Sequence, residues 1–326
     1  MATSGTTAYD RTGAQIAEHA ARLIRIIGID ETLDTTAGGQ EDQILESLNL
    51  WMKTDQALIE GEWRKREARL FLVPSQNTYN LPGANSADES EIGETTLDAD
   101  EASGQTVLSV TATSDTTGPS TVAMAASDVI GVVLDDDTIQ WSTINTFSAG
   151  DTVTLDDALT GAASSGNKVY WYTTAGPRPL KIISARRFNS GNEIEMFQLA
   201  RDDYFSLPNK TSEGTPVQYF YDPQQGTGKL YVWPTPDTVD DVIYFTYLDE
   251  LEIISANTDT TNYPHEWMEY LVYGLAMRIA PLYGVEVPTE VLATYTEAKQ
   301  KLDQWDDDDA SVIFFAGHNR YRHGRR

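Results

Sequence analysis

Residues 269–302 read EYLVYGLAMRIAPLYGVEVPTEVLATYTEAKQKL. Just before and within this stretch Met268, Leu271, Val272, Leu275 and Ile279 recur at three- and four-residue steps, which places them on one face of a helix. Pro264 suits the first helical position, where a backbone N–H has no partner in any case. Ala280-Pro281 breaks the pattern, and it restarts near Pro288 with Val291, Leu292, Tyr295, Ala298, Leu302 and Trp305 in register. Two helices joined by a short link predict an αα-hairpin.

A second pair stands near the start. Ile16, Ala20, Leu23, Ile24 and Ile27 describe one apolar face, with Gly28 placed to end the helix. After the polar link DETLDTTAGG (30–39), Ile44, Leu45, Leu48, Trp51, Met52, Leu58 and Ile59 fall on one side, and Glu41 and Asp42 suit the positive helix N-terminus.

Between the hairpins the period changes. ARLFLVPSQNTYNLP (68–82) reads as short extended pieces around Leu70, Leu72 and Tyr79, cut by Pro74 and Pro82. Strand candidates follow at 106–113, 128–134, 137–144, 151–155 and 167–173, separated by Asp- and Gly-bearing turns, which predicts a small all-β module. Further strands are expected in LKIISARRF (180–188), NEIEMFQLA (192–200), PVQYFYD (216–222), KLYVWP (229–234) and VIYFTYLDELEII (242–254). Pro234 stops its strand as at a sheet edge.

The expected fold class is therefore α+β: a helical bundle of two αα-hairpins, N- and C-terminal, with a large inserted β-rich region and an extended C-terminal arm. The corresponding segments are 1–68 (first hairpin), 69–83 (extended connector), 84–175 (acidic all-β insert), 176–258 (strand region), 259–306 (second hairpin) and 307–326 (arm). No internal repeat at a solenoid period is present.

The 326 residues include 50 acids against 23 Lys and Arg, a formal charge of −27, and no cysteine. Disulfide-stapled and cysteine-ligated zinc folds are excluded. The charge argues against a body that grips nucleic acid by neutralising phosphates, because that mode needs a basic surface. An acidic surface suits a wall that DNA slides past, and equally suits a soluble particle. Residues 81–170 hold fifteen acids and one lysine, Lys168, so the charge is concentrated in the insert. The apolar run Tyr270–Val285 contains Arg278 and Pro281 and is too short to span a bilayer. MATSGTTAYDRTGAQ has no basic-then-apolar leader, so folding in a host cytoplasm is expected.

The last two dozen residues change character. Asp303 and Asp306 to Asp309 are followed by Val312, Ile313, Phe314 and Phe315, and then by a block with Arg320, Tyr321, Arg322, Arg325 and Arg326 and no acid. Four apolar residues are too few for a helix, and left bare they would be an aggregation hazard. This pattern predicts an arm that docks on a partner by strand addition or aromatic anchoring. In alternative readings Phe314 and Phe315 cover the chain's own β region, or the arginines touch DNA phosphates.

Residues that could carry chemistry have plainer roles. His265-Glu266 would need a histidine at position 269 to resemble a zinc-protease helix, and that residue is Glu269, so the pair reads as a helix start. Asp135-Asp136-Asp137 and Asp306–Asp309 lack the glycine and terminal glutamate of a calcium loop. No nucleophile elbow, P-loop or dinucleotide fingerprint occurs, and His19 and His318 have no partner in sequence. Tyr219, Tyr221, Tyr231 and Trp233 could form a sugar-binding face, but at alternating strand positions such rings are more often core or subunit interface. No catalytic, cofactor or metal site is expected.

HAARLIRIIGIDETLDTTAGGQEDQILESLNLWM (19–52), the stretch 269–302 with its Leu275-to-Gly284 run LAMRIAPLYG, and the terminal arm together resemble the bacteriophage head-to-tail adaptor family, the connector or tail accessory proteins of short-tailed phages. The insert has no counterpart in the smaller members. The resemblance implies a non-enzymatic virion protein of the neck: a ring of about twelve copies beneath the portal. Such a ring extends the DNA channel, without sequence-specific contact to the packaged DNA in its lumen, and serves as the platform for a downstream tail or nozzle protein. It also implies an arm, Val312–Phe315 with Arg320, Tyr321, Arg322, Arg325 and Arg326, lodged on the portal protein. Two other classes stand beside it. One is a tail-proximal or surface binding protein whose insert recognises a tail component or host glycan. The other, weaker, is a peptidoglycan hydrolase.

Overall fold

The computed structural model describes residues 9–57, 61–117, 121–148, 151–189 and 191–305. The chain opens with α1 (Gly13–Leu23) and α2 (Gln40–Asp55). Strands follow as β1 (Lys65–Phe71), β2 (Thr78–Leu81), β3 (Ser86–Asp88), β4 (Gly93–Thr96), β5 (Val107–Ser109) and β6 (Ser114–Asp115). They continue as β7 (Val122–Ala123), β8 (Val129–Val133), β9 (Ile139–Ser148), β10 (Thr152–Leu155) and β11 (Lys168–Tyr172). β12 (Lys181–Asn189), β13 (Asn192–Glu195) and β14 (Phe197–Gln198) precede the short α3 (Arg201–Phe205). The last elements are β15 (Gln218–Asp222), β16 (Gly228–Trp233), β17 (Val242–Leu248), α4 (Met268–Ile279) and α5 (Thr289–Trp305).

These elements correct the expected fold class. Among the described residues seventeen strands outweigh five α-helices, one of them only five residues long, so the protein is β-rich with curled sheets and is not a helical bundle carrying an insert. Helical periodicity is a strong local signal, whereas the sheets are assembled by pairings between distant segments. β1 lies next to β17, with Lys65 opposite Leu248 and Phe71 opposite Val242. Pairs so far apart in sequence leave no local trace.

The chain divides into two compact units, Met1–Trp63 with Glu252–Arg326, and Arg64–Leu251. In the first, α1 is held at its start by a capping box in which Thr12 and Gln15 exchange bonds, satisfying donors that a helix N-terminus leaves open. Gly13 N–H donates to the Asp259 carbonyl at 2.8 Å, and the Asn49 side chain brackets the backbone of Ile254 with two bonds of 2.8 Å. Ile16, Ala20, Ile44, Leu48, Leu271, Leu275 and Ile279 are fully buried. Tyr270 is central: its ring packs on Trp51, Trp267 and Tyr295 at 5.3, 5.6 and 5.3 Å, and its hydroxyl donates to buried Asp55 at 2.7 Å.

The second unit contains a five-stranded sheet, β13-β12-β17-β1-β3, and a four-stranded sheet, β14-β15-β16-β2. Leu70, Ile243, Phe245 and Tyr247 from the first meet Tyr79, Tyr219, Leu230 and Val232 from the second in one buried cluster, as in a sandwich. A six-stranded sheet, β4-β11-β8-β9-β10-β5, encloses its own core around Leu108, Ile130, Val132, Ile144, Val153 and Trp171. It curls until its edges meet. Leu97 bridges Val110, the Thr111 N–H donates to the Thr96 carbonyl, and the Asp98 N–H donates to the Ser109 carbonyl. Closure of this kind removes open strand edges.

Burial pushes the sandwich tyrosines upward in pKa, Tyr219 and Tyr221 to about 12, and Tyr79 and Tyr247 well above the ordinary value. Unfolding returns them to a value near 10, so between about pH 10 and 12 the folded state holds protons that the unfolded state has lost. Stability is therefore expected to be insensitive to these groups at neutral pH and to fall as pH rises through that window. Urea unfolding followed across the window, with tyrosinate absorbance appearing in the same transition, checks this.

Candidate interaction surfaces

The outer face of the five-stranded sheet carries one row of residues in register, Glu195, Arg186, Tyr244 and Arg69, contributed by β13, β12, β17 and β1. Tyr244 lies between two guanidiniums, Arg69 at 5.0 Å and Arg186 at 5.7 Å from its ring centre. Arg69 makes a two-pronged pair with Glu89 and reaches Glu94 at 3.6 Å, and Glu94 also holds Lys168 at 3.1 Å. Arg186 bonds Glu67 at 2.7 Å and Glu193 at 2.6 Å. Burial opposes the charge on Arg69, but Glu89 outweighs it with help from Tyr244 and Glu94, so its pKa lies above the ordinary value.

Beside this row is a cavity of about 530 Å³ lined by Arg69, Glu94, Lys168, Tyr170, Phe188 and Tyr244 among others. Its cations are already answered by carboxylates, which leaves little free charge to recruit an anion. Next to it Phe71, Ile92, Tyr170, Tyr172 and Val242 form a buried cluster. Together the charged row and this cluster fasten the curled six-stranded sheet to the sandwich.

The histidine and acid motifs fall into structural roles. His265 pairs with Glu266 at 2.8 Å in a short 3-10 turn that leads into α4. Asp135 accepts from Ser164 and Asn167, and Asp136 accepts from Thr138, so this acidic run braces a turn. His19 accepts from Arg11 at its Nδ1, and burial together with Arg11 and Arg22 lowers its pKa. Among the described residues no group of three or more His, Asp or Glu side chains could hold a metal ion, and no helix is long and apolar enough to cross a membrane.

Tyr219 and Tyr221 are core residues of the sandwich. Tyr231 belongs instead to a four-ring cluster with Tyr204, Phe205 and Phe220 on the other face of its sheet, and the Trp233 indole donates to the Asn209 carbonyl. Phe205 from α3 is 46% exposed there. The five-residue α3 had no periodic signal in the sequence.

One surface was not anticipated. The stretch 192–200 reads as a single strand, yet it is divided between two sheets: β13 is an edge of the five-stranded sheet and β14 an edge of the four-stranded one. Met196 enters the core between them. Ile194, Phe197 and Val217 are left 49%, 70% and 40% exposed. The three-residue step from Ile194 to Phe197, out of phase with a strand period of two, is the available sequence signal.

The arm residues Val312, Ile313, Phe314, Phe315, Arg320, Tyr321, Arg322, Arg325 and Arg326 lie outside the described residues, as do Leu58, Ile59, Asp306–Asp309 and His318. The sequence-predicted site is therefore not placed against any of the surfaces above.

A protein-family model described as SU10 adaptor protein matches residues 146–314, just over half of the chain. The match takes in the end of β9, the strands from β10 onward and the helices α3, α4 and α5, and it includes the stretch 269–302 but not 19–52. Among solved structures, VP17, a capsid protein of bacteriophage P23-77, is similar at 12% identity over 61% of this chain and 78% of that one, with a TM-score of 0.11. No curated protein matches the chain.

Proposed function

We propose that this chain, which belongs to the SU10 adaptor protein family, forms a ring on the portal of a short-tailed bacteriophage, continues the DNA channel and carries the tail. The family is one of phage adaptors, structural components of the virion. Family membership is the observation that carries the proposal. The charge supports it. An excess of 27 negative charges repels the phosphate backbone, and the cations of the sandwich face are tied to Glu67, Glu89, Glu94 and Glu193 rather than offered to DNA. A duplex moving through such a lumen meets no attractive trap.

In this proposal the arginines of the arm, Arg320, Arg322, Arg325 and Arg326, pair with portal carboxylates, as their sign opposite to the rest of the chain suggests. The neck of the virion is then its place, and a nozzle or tail protein its lower neighbour. The test is the mass of the purified chain alone and after mixing with portal rings, by native mass spectrometry. A stoichiometric ring on portal is expected. A chain that ignores portal overturns the proposal and shifts the weight to a role in recognising a tail component or a glycan.

A further inference from the structure

We infer that β13 is the seat of Val312–Phe315 from a second copy of this chain, which adds there as an extra strand. The inference rests on the ring proposal and names the contact between its neighbouring copies.

Several features single out this edge. The far edge of the same sheet, β3, is covered, since Ala87 bridges Ala175 and the Gly176 N–H donates to the Ser86 carbonyl. The six-stranded sheet closes on itself, and β2 exposes no large apolar residue. Among the described residues β13 has a partner on one side only, and all four of its residues are exposed. Met196 N–H donates to the Ala185 carbonyl, so by the alternation of an antiparallel ladder it is Glu193 and Glu195 whose backbone groups face away from β12. A row of unpaired backbone groups of this kind is a template for another strand. Ile194 and Phe197 flank it, and among the described large apolar residues only Ile29 is more exposed than Phe197.

The edge also selects its partner. Two copies of β13 laid side by side would bring four glutamates together, which disfavours self-pairing. Glu195, Asp202 and Asp203 meet no cation among the described residues. The complementary strand is apolar and carries basic but no acidic residues. In a chain with 50 acids, the 310–326 stretch has none, and it places Val312, Ile313, Phe314 and Phe315 a few residues before its four arginines. Residues 306–311 supply up to about 20 Å of extended reach from the end of α5. Donor strand and acceptor edge are different surfaces, so each copy gives one and offers the other, which is the head-to-tail contact that a ring requires.

The chain has no cysteine, so engineered thiols report without background. Full-length chains with Glu195→Cys are mixed with full-length chains with Ile313→Cys or Phe314→Cys under mild oxidation, with and without portal rings. Paired strands bring Cα atoms within disulfide range. A hybrid disulfide is expected in at least about tenfold greater yield than with Ser103→Cys, an exposed control position, in place of Glu195→Cys. Equal yields overturn the inference, as does a disulfide that forms only within a doubly substituted chain. Portal binding is read separately by mass. Portal binding without the hybrid disulfide removes this seat and leaves the ring proposal standing. The disulfide without portal binding does the reverse.

Discussion

Replacing Gly274 with valine is expected to cost the helical unit about 3 kcal/mol, a large fraction of the roughly 5–15 kcal/mol by which a folded domain is stable. A Cβ at this position would overlap the edge of the Trp51 ring at its Cη2 and stand 2.9 Å from Tyr295 Cε2. The Trp51 ring has little space to withdraw. Trp51 is 1% exposed, packs on Tyr270 at 5.3 Å, and has the Arg278 guanidinium over its face at 5.1 Å. Tyr295 is stacked on Tyr270, whose hydroxyl is fixed by Asp55. Alanine at 274 gains about 1 kcal/mol of helix propensity over glycine, so in an open helix the change would stabilise. Here the overlap is expected to reverse the sign. The check is urea unfolding followed by far-ultraviolet circular dichroism for both variants. Trp51→Phe in the Gly274→Ala background should recover part of the loss, and a double-mutant cycle should show that the two sites couple. An unchanged midpoint for Gly274→Ala would mean that α2 and α4 do not approach as closely as described.

Gly274 also marks the limit of what the sequence discloses. Leu271, Leu275 and Ile279 announce the buried face of α4 by spacing alone, and the paired helices were expected on that basis. The glycine among them reads as a neutral weakness of the helix until Trp51, more than two hundred residues earlier, is placed against it. The strands divide in the same way. β8, β9 and β11 show themselves through β-branched and aromatic runs between turns. β1, read KREARLF, lies inside its sheet between β17 and β3, but four charged residues hide the alternation and its first half falls in the stretch assigned to the first hairpin. Those charges are tolerated because Glu89, Glu193 and Asp249 answer them or their row partners across the sheet. No local pattern announces partners so distant. For this reason the sequence understates the β material and predicts a helical bundle where the fold is β-rich. The residues proposed to dock differ in kind: the change of sign and the Val-Ile-Phe-Phe block are legible as composition, whereas an open edge at β13 is a property of sheet order and emerges only from the fold.

Deleting residues 306–326 is expected to leave the melting temperature of the remainder unchanged and to weaken joining to portal rings by about 100-fold, or ~2.7 kcal/mol. Seating Val312, Ile313, Phe314 and Phe315 on a neighbouring copy would link the ring that the arginines hold on portal, and full burial of such residues contributes roughly 1.5–3 kcal/mol each. Fixing their backbone costs roughly 1–2 kcal/mol per residue, so a net of a few kcal/mol is the scale to expect. Salt separates the two halves of the arm. Pairs made by Arg320, Arg322, Arg325 and Arg326 at a solvated surface weaken as the Debye length shrinks from about 10 Å at 0.1 M salt to about 3 Å at 1 M. Apolar burial does not. The full chain should therefore lose part of its affinity for portal at high salt, and a chain with the four arginines changed to alanine should start weaker and respond less. A Phe314→Asp chain should be weak at every salt concentration, because it puts a charge where burial is required. Mass photometry of mixtures with portal across this range measures all three. Retention of full portal binding by the shortened chain would show that the helical unit or the sandwich, rather than the arm, makes the contact.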